Sequence, residues 1–316
     1  MVSWINLGII ASLAWGIYVV ILKKVTSEQH YRVPPSVAFF AMSLGILITS
    51  LASFFVGGSL TSLSIPGVGI SVVAGLLWGI GMSSVTYSLS LPETTVSKLT
   101  PLYNTNTLVA VILAILLLKE VPGQIVLVLL GAALVVLGAI LVTRKAPPSI
   151  PGDTQSPTML FHIGGHAILG VRTWVVHGIV TSLVWGAYAL LLKVSTSADY
   201  YGTNLFVAFA AMSLGILLIS GGMFAKERKR QATLSKRGVF YALLSGIIWG
   251  IGLLAVIYAL SSLQTPVAKL VPLYNTNTLV AVFLGMFFLH EVPRGRWITI
   301  LGAILIVAGG ALVTIP

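Results

Sequence analysis

Two stretches of the chain place hydrogen-bonding side chains inside otherwise apolar runs. Lys98–Thr107 reads KLTPLYNTNT and Lys269–Thr278 reads KLVPLYNTNT. In hydrocarbon such groups are costly, and they are kept where they bind a polar solute or another helix. The amides of Asn104, Asn106, Asn275 and Asn277 offer both donors and acceptors, and Tyr103 and Tyr274 precede them directly. Lys98 and Lys269 read in two ways: cations that attract an anionic or strongly polar solute, or side chains snorkelling to the nearest interface. Pro101 and Pro272 have no N–H, so carbonyls one turn back are freed and must face protein, water or ligand. They are candidate helix breaks and gates. At 100° per residue Asn104 and Asn106 diverge by about 160°. One asparagine of each pair is therefore expected to face the solute and its neighbour to bond another helix.

Aromatic residues form a second set. Trp15 and Tyr18 lie in AWGIY, and Trp185 and Tyr188 in VWGAY. Their flat faces suit a sugar or an aromatic ligand, although aromatic residues also form interfacial belts. Trp78, Trp249, Tyr87 and Tyr258 repeat the choice. Lys23 and Lys193 at helix ends are expected to snorkel, and Glu120 and Glu291 to make interfacial caps or loop contacts. The glycines of WGIG (Gly79, Gly81; Gly250, Gly252) permit close helix approach.

The missing chemistry narrows the function. Cysteine is absent, which excludes disulfides, thiolate metal sites and thiol nucleophiles. The acidic residues Glu28, Glu93, Glu120, Asp153, Asp199, Glu227 and Glu291 all fall in loops or at helix ends, so a mid-span proton relay is missing. Uniport, exchange, or ion coupling through carbonyls and hydroxyls is expected instead. His162 and His166 supply too few ligands for a metal. No catalytic set, phosphate loop or haem motif stands out, so neither an enzyme nor a cofactor is expected.

The elements that position these residues must be membrane helices. The chain is 57% hydrophobic and 8% charged, with mean hydropathy +1.03. A soluble domain carries about 25% charged residues. Runs of about 20 apolar residues, the length that spans a bilayer, occur near 4–22, 36–56, 67–90, 96–118, 124–143, 174–192, 205–224, 238–261, 266–289 and 296–314. The first reads as a membrane helix rather than a cleaved signal. The net charge of +11 lies mostly in short loops, which makes it a topological signal and argues against nucleic acid.

The chain is a duplication. SLAWGIYVVILKKVTS at Ser12–Ser27 returns as SLVWGAYALLLKVSTS at Ser182–Ser197, and VAFFAMSLGILI at Val37–Ile48 as VAFAAMSLGILL at Val207–Leu218. Two repeats follow, 1–145 and 174–316, with a linker at 146–173 expected to be loop from its Pro, Gly and Ser content. Five helices per repeat invert the second. The loop after helix 1 carries Lys23, Lys24 and Arg32, whereas in the second half the basic loop follows helix 7, with Lys226, Arg228, Lys229, Arg230, Lys236 and Arg237. One cytoplasmic side then requires inverted repeats with both termini extracytoplasmic.

Ten helices in two five-helix halves resemble the drug/metabolite transporter superfamily, particularly its EamA-type members. The most specific features are a polar start, a proline, an apolar run and a glutamate: Pro101 with Glu120, and Pro272 with Glu291. AWGIYVVILKK and GLLWGIG are similar to glucose/ribose-type sugar porters. The resemblance implies a multi-pass carrier of the cell membrane working by alternating access, with a small-molecule substrate and the bilayer as partner; a homodimer is a further partner to expect. Many members are described with cytoplasmic termini; the charges here say the reverse. A channel or a lipid or drug flippase is the alternative, and a membrane-embedded transferase the least favoured. The Trp/Tyr/Asn set favours a sugar-like ligand, and the lysine pair an organic anion or amino acid.

Overall fold

The computed structural model describes residues 3–58, 63–120, 124–143, 158–163, 166–227, 234–291 and 296–312. In chain order the helices are α1 (Trp4–Thr26), α2 (Pro35–Gly57), α3 (Ile65–Ser90), α4 (Val96–Tyr103), α5 (Asn106–Leu117) and α6 (Ile125–Thr143). They are followed by α7 (Thr173–Thr196), α8 (Leu205–Glu227), α9 (Lys236–Ser261), α10 (Val267–Tyr274), α11 (Asn277–Phe288) and α12 (Arg296–Leu312). Counting α4–α5 and α10–α11 as one span each, the described residues hold eight spans long and apolar enough to cross a membrane. The shorter α6 and α12 are apolar and pair with each other.

These runs fold as helices because lipid offers no partner to backbone N–H and C=O groups, and a helix satisfies them internally. Local sequence sets several of the starts. Ser3, Ser64 and Ser235 accept from amides in the first turns of α1, α3 and α9, and Pro35 opens α2, where a missing N–H costs nothing. Large apolar side chains stay outside: Phe55, Val56 and Trp297 are each 81% exposed or more. Such a surface needs acyl chains around it.

The halves interleave. α1 packs on α9 and α11, and α7 on α3 and α5, while α2 and α3 cross α9 and α8. Glycines set those crossings. A Cβ on Gly246 would lie 1.9 Å from the Met42 carbonyl oxygen, and one on Gly75 2.1 Å from that of Met212, so the backbones touch. Polar contacts recur with the halves exchanged: Ser43 pairs with Ser220 at 2.7 Å, and Ser50 with Ser213 at 3.0 Å.

Two sequence expectations change. The linker holds an antiparallel hairpin, β1 (Thr158–Ile163) with β2 (His166–Arg172), rather than loop alone; residues 144–157 lie outside the described residues. The run at 96–118 is not one helix. It breaks at Asn104–Thr105, with the same break at Asn275–Thr276. Pro101 and Pro272 sit inside α4 and α10, upstream of the interruption. At the break the backbone tightens to three-residue bonds: Thr105 N–H reaches Leu102 O and Thr107 N–H reaches Asn104 O. The hydroxyls of Thr105 and Thr107 bond the same carbonyls, at 2.7 and 2.8 Å. Such local bonds compete with the helix ladder.

Candidate functional site

The breaks meet one another across the two halves. Asn104 donates through Nδ2 to Asn277 Oδ1 and, at 2.6 Å, to Thr278 Oγ1. Asn275 answers from the other half, donating to Asn106 Oδ1 at 2.6 Å and Thr107 Oγ1 at 2.7 Å. All four asparagines are buried and line one cavity, together with Trp15, Tyr18, Trp78, Trp185, Tyr188, Trp249 and Tyr274. The expected divergence of about 160° is therefore not realised. It assumed α-helical steps across residues where the chain leaves the α-helix, and each asparagine finds its partner in the opposite half. Hydrogen bonding across helices and lining the cavity are one role, not alternatives.

The walls are aromatic. Trp15 stacks on Trp249 (5.9 Å, 11°) and Trp185 on Trp78 (5.6 Å, 4°), while Trp78 and Trp249 meet at 4.1 Å. Each outer indole is fixed by its N–H: Trp15 Nε1 donates to Trp249 O at 3.2 Å, and Trp185 Nε1 to Trp78 O at 3.1 Å. Gly252 and Gly81 make room, since a Cβ there would lie 2.6 and 2.3 Å from those indole nitrogens. Trp78 and Trp249 thus belong to the cavity as fully as Trp15 and Trp185; their signal was the repeated WGIG.

Other sequence candidates lie elsewhere. Tyr103 stands behind the lining, edge-on to Trp185 at 5.0 Å, with its hydroxyl on Thr100 Oγ1, whereas Tyr274 reaches the cavity. Tyr87 and Tyr258 are on the exposed surface. Lys98 and Lys269 are half-buried in the first turns of α4 and α10 and are not among the lining residues; Lys98 Nζ donates to Glu93 O at 3.3 Å. The first turn of a broken helix lies at its outer end, two helical turns from the asparagines at its inner end. Lys23 and Lys193 do not snorkel outward. Both are buried and donate to carbonyls that end other helices, Lys23 to Leu89 O at 2.8 Å and Lys193 to Leu260 O at 3.1 Å.

The cavity is narrow, with about 10 Å³ of interior, the room of one water molecule. Its lining is neutral throughout: indole faces, phenols and primary amides. Such a surface can stack on the apolar face of a ring and exchange hydrogen bonds with hydroxyls, but it offers no counter-charge to an ion.

A sequence profile of the sugar transport protein family matches residues 6–315, nearly the whole chain. The chain belongs to the sugar transport protein family. This member is also 21% identical over 314 residues to a "Putative sugar uptake protein" of Lactiplantibacillus plantarum, covering 98% of each chain. Its fold resembles a protein crystal structure at TM-score 0.67 and 15% identity, over 99% of this chain and 96% of that one, a likeness of fold alone. Family and spans together make it a multi-pass membrane transporter of small polar compounds, not an enzyme.

Proposed function

We propose that the chain takes up an uncharged sugar by alternating access, binding it in the central cavity between the halves. The observation that carries this reading is the lining, which combines indole faces and paired amides with no charged side chain. The name of the Lactiplantibacillus relative points the same way. The cavity is smaller than any sugar, so loading requires the halves to part. The position of Lys98 and Lys269 outside the lining disfavours the organic-anion reading.

The same proposal includes ten membrane helices, with α6 and α12 completing two inverted five-helix repeats, 1–145 and 174–316, joined by 146–173. Equivalent ends support inversion: the end of α11 lies against the start of α4, and the end of α5 against the start of α10. On this topology every one of the 18 Lys and Arg residues except Lys119, Lys193 and Lys269 falls to a single face. That face is cytoplasmic, and both termini lie outside. On the same repeat we assign the family to the drug/metabolite transporter superfamily.

Counterflow into proteoliposomes tests the function. Entry of labelled hexose should saturate and be competed by unlabelled hexose, and the hexose phosphate should compete far less. Non-saturating entry, or equal competition by the phosphate ester, would overturn the reading.

A further inference from the structure

α4 and α10 begin without a local cap. Thr95 makes no capping bond at the start of α4, and Pro266 at the start of α10 has no side-chain acceptor. In each case the cap comes from the other half. Glu291, just past α11, accepts from Val96 N–H at 2.8 Å and Ser97 N–H at 3.0 Å. Glu120, just past α5, accepts from Val267 N–H and Ala268 N–H, both at 3.0 Å. A carboxylate on two free amides at a helix N-terminus is a charge-assisted contact favoured by the helix dipole. Each glutamate follows a residue in left-handed backbone, Lys119 (φ 53°) or His290 (φ 52°), a conformation that favours glycine. That turn returns the glutamate N–H to its own helix, Glu120 to Ala114 O and Glu291 to Gly285 O.

A lysine completes each end. On the Glu291 face Lys23 of α1 ties to Leu89 O and Leu91 O at the close of α3. On the Glu120 face Lys193 of α7 ties to Leu260 O and Thr265 O at the close of α9. The first face thus joins α1, α3, α4 and α11, and the second α7, α9, α10 and α5. The inner ends of α4 and α10 carry Asn104 and Asn275, so whatever holds their outer ends also bears on the cavity.

We propose that Glu291 and Glu120 are the latches of the two gates: releasing Glu291 from α4 opens one face to the cavity, and releasing Glu120 from α10 opens the other. Both are engaged here, and the cavity between them is too small for a sugar. They are positioning residues, acting through the half-helices they hold. The proposal rests on the alternating-access reading, and its test is independent of any sugar.

The cysteine-free chain allows a clean reporter on each face. Thr94 and Thr265 are buried beside the two latches, and neither side-chain hydroxyl has a hydrogen-bond partner among the described residues. Thr94→Cys and Thr265→Cys would be labelled in vesicles with a membrane-impermeant maleimide, each from its own face. With Glu291→Ala, labelling of Cys at position 94 should rise about tenfold while position 265 is unchanged; with Glu120→Ala the pattern should reverse. Val96→Pro and Val267→Pro remove one latch donor each and keep the carboxylate, and proline is tolerated at a first helical position. They should reproduce the face-specific pattern should the glutamate variants fail to fold. Labelling that rises on both faces in a single-latch variant, or on neither, overturns the latches. Face-specific labelling in a protein that carries no hexose would keep the latches and overturn the substrate.

Discussion

The asparagine bonds between the halves make a quantitative demand. Asn104→Ala removes the donor to Asn277 Oδ1 and to Thr278 Oγ1. Each bond contributes about 0.5–1.5 kcal/mol net, and interhelical bonds in membranes average about 0.6 kcal/mol. The loss is therefore about 1–3 kcal/mol, before any cavity cost. Asn277→Ala removes the acceptor of one of the same bonds and costs about 1 kcal/mol. Because that bond is shared, the double variant should lose about 1 kcal/mol less than the sum of the single losses, roughly a fivefold difference in the unfolding equilibrium. Reversible unfolding in mixed micelles, followed by tryptophan fluorescence, measures the cycle. Ser43→Ala, whose partner Ser220 is shared with neither asparagine, serves as the uncoupled control and should add to Asn104→Ala within about 0.5 kcal/mol. The mirror cycle of Asn275→Ala with Asn106→Ala should give the same coupling through its own bond. Strict additivity in both cycles would refute asparagine bonds that join the halves.

Three further outcomes follow from the geometry. Lys98→Gln with Lys269→Gln should leave hexose affinity within about twofold in an equilibrium binding assay, because neither side chain lines the cavity; a tenfold loss would restore a cationic site. Trp185→Phe keeps an aromatic face but loses the N–H donated to Trp78 O, so hexose binding titrated by fluorescence should weaken by about 0.5–1.5 kcal/mol, a few-fold to about tenfold. Gly75→Ala would drive a methyl against the Met212 carbonyl and should cost about 1–3 kcal/mol in unfolding experiments. In contrast, Gly69→Ala meets nothing within 4 Å on an exposed helical turn and should be neutral or stabilising by up to about 1 kcal/mol.

The sequence by itself determined the solvent, the duplication and the chemical character of the site. Composition excludes water as the surrounding medium, because a chain so poor in charge cannot cover its own surface with polar groups. The repeated PLYNTNT and WG motifs locate the amides and indoles, since neutral polar groups persist in apolar runs only where something satisfies them. Tertiary structure decided how those groups combine. Pro101 predicts a break at the proline, yet the helix breaks at Asn104, because threonine hydroxyls and three-residue backbone bonds at the NTNT segment outcompete the helix three residues beyond it. The angle between Asn104 and Asn106 could not be read from a helical period that the chain abandons between them. Lys98 fell outside the cavity for a reason of distance along the helix axis, which residue type does not encode. Glu120 and Glu291 read as caps, but the helices they cap belong to the opposite half, more than 140 residues away in sequence. Partners that distant are set by how two interleaved repeats cross, and the glycines that fix those crossings acquire their meaning only when the facing backbone is in place.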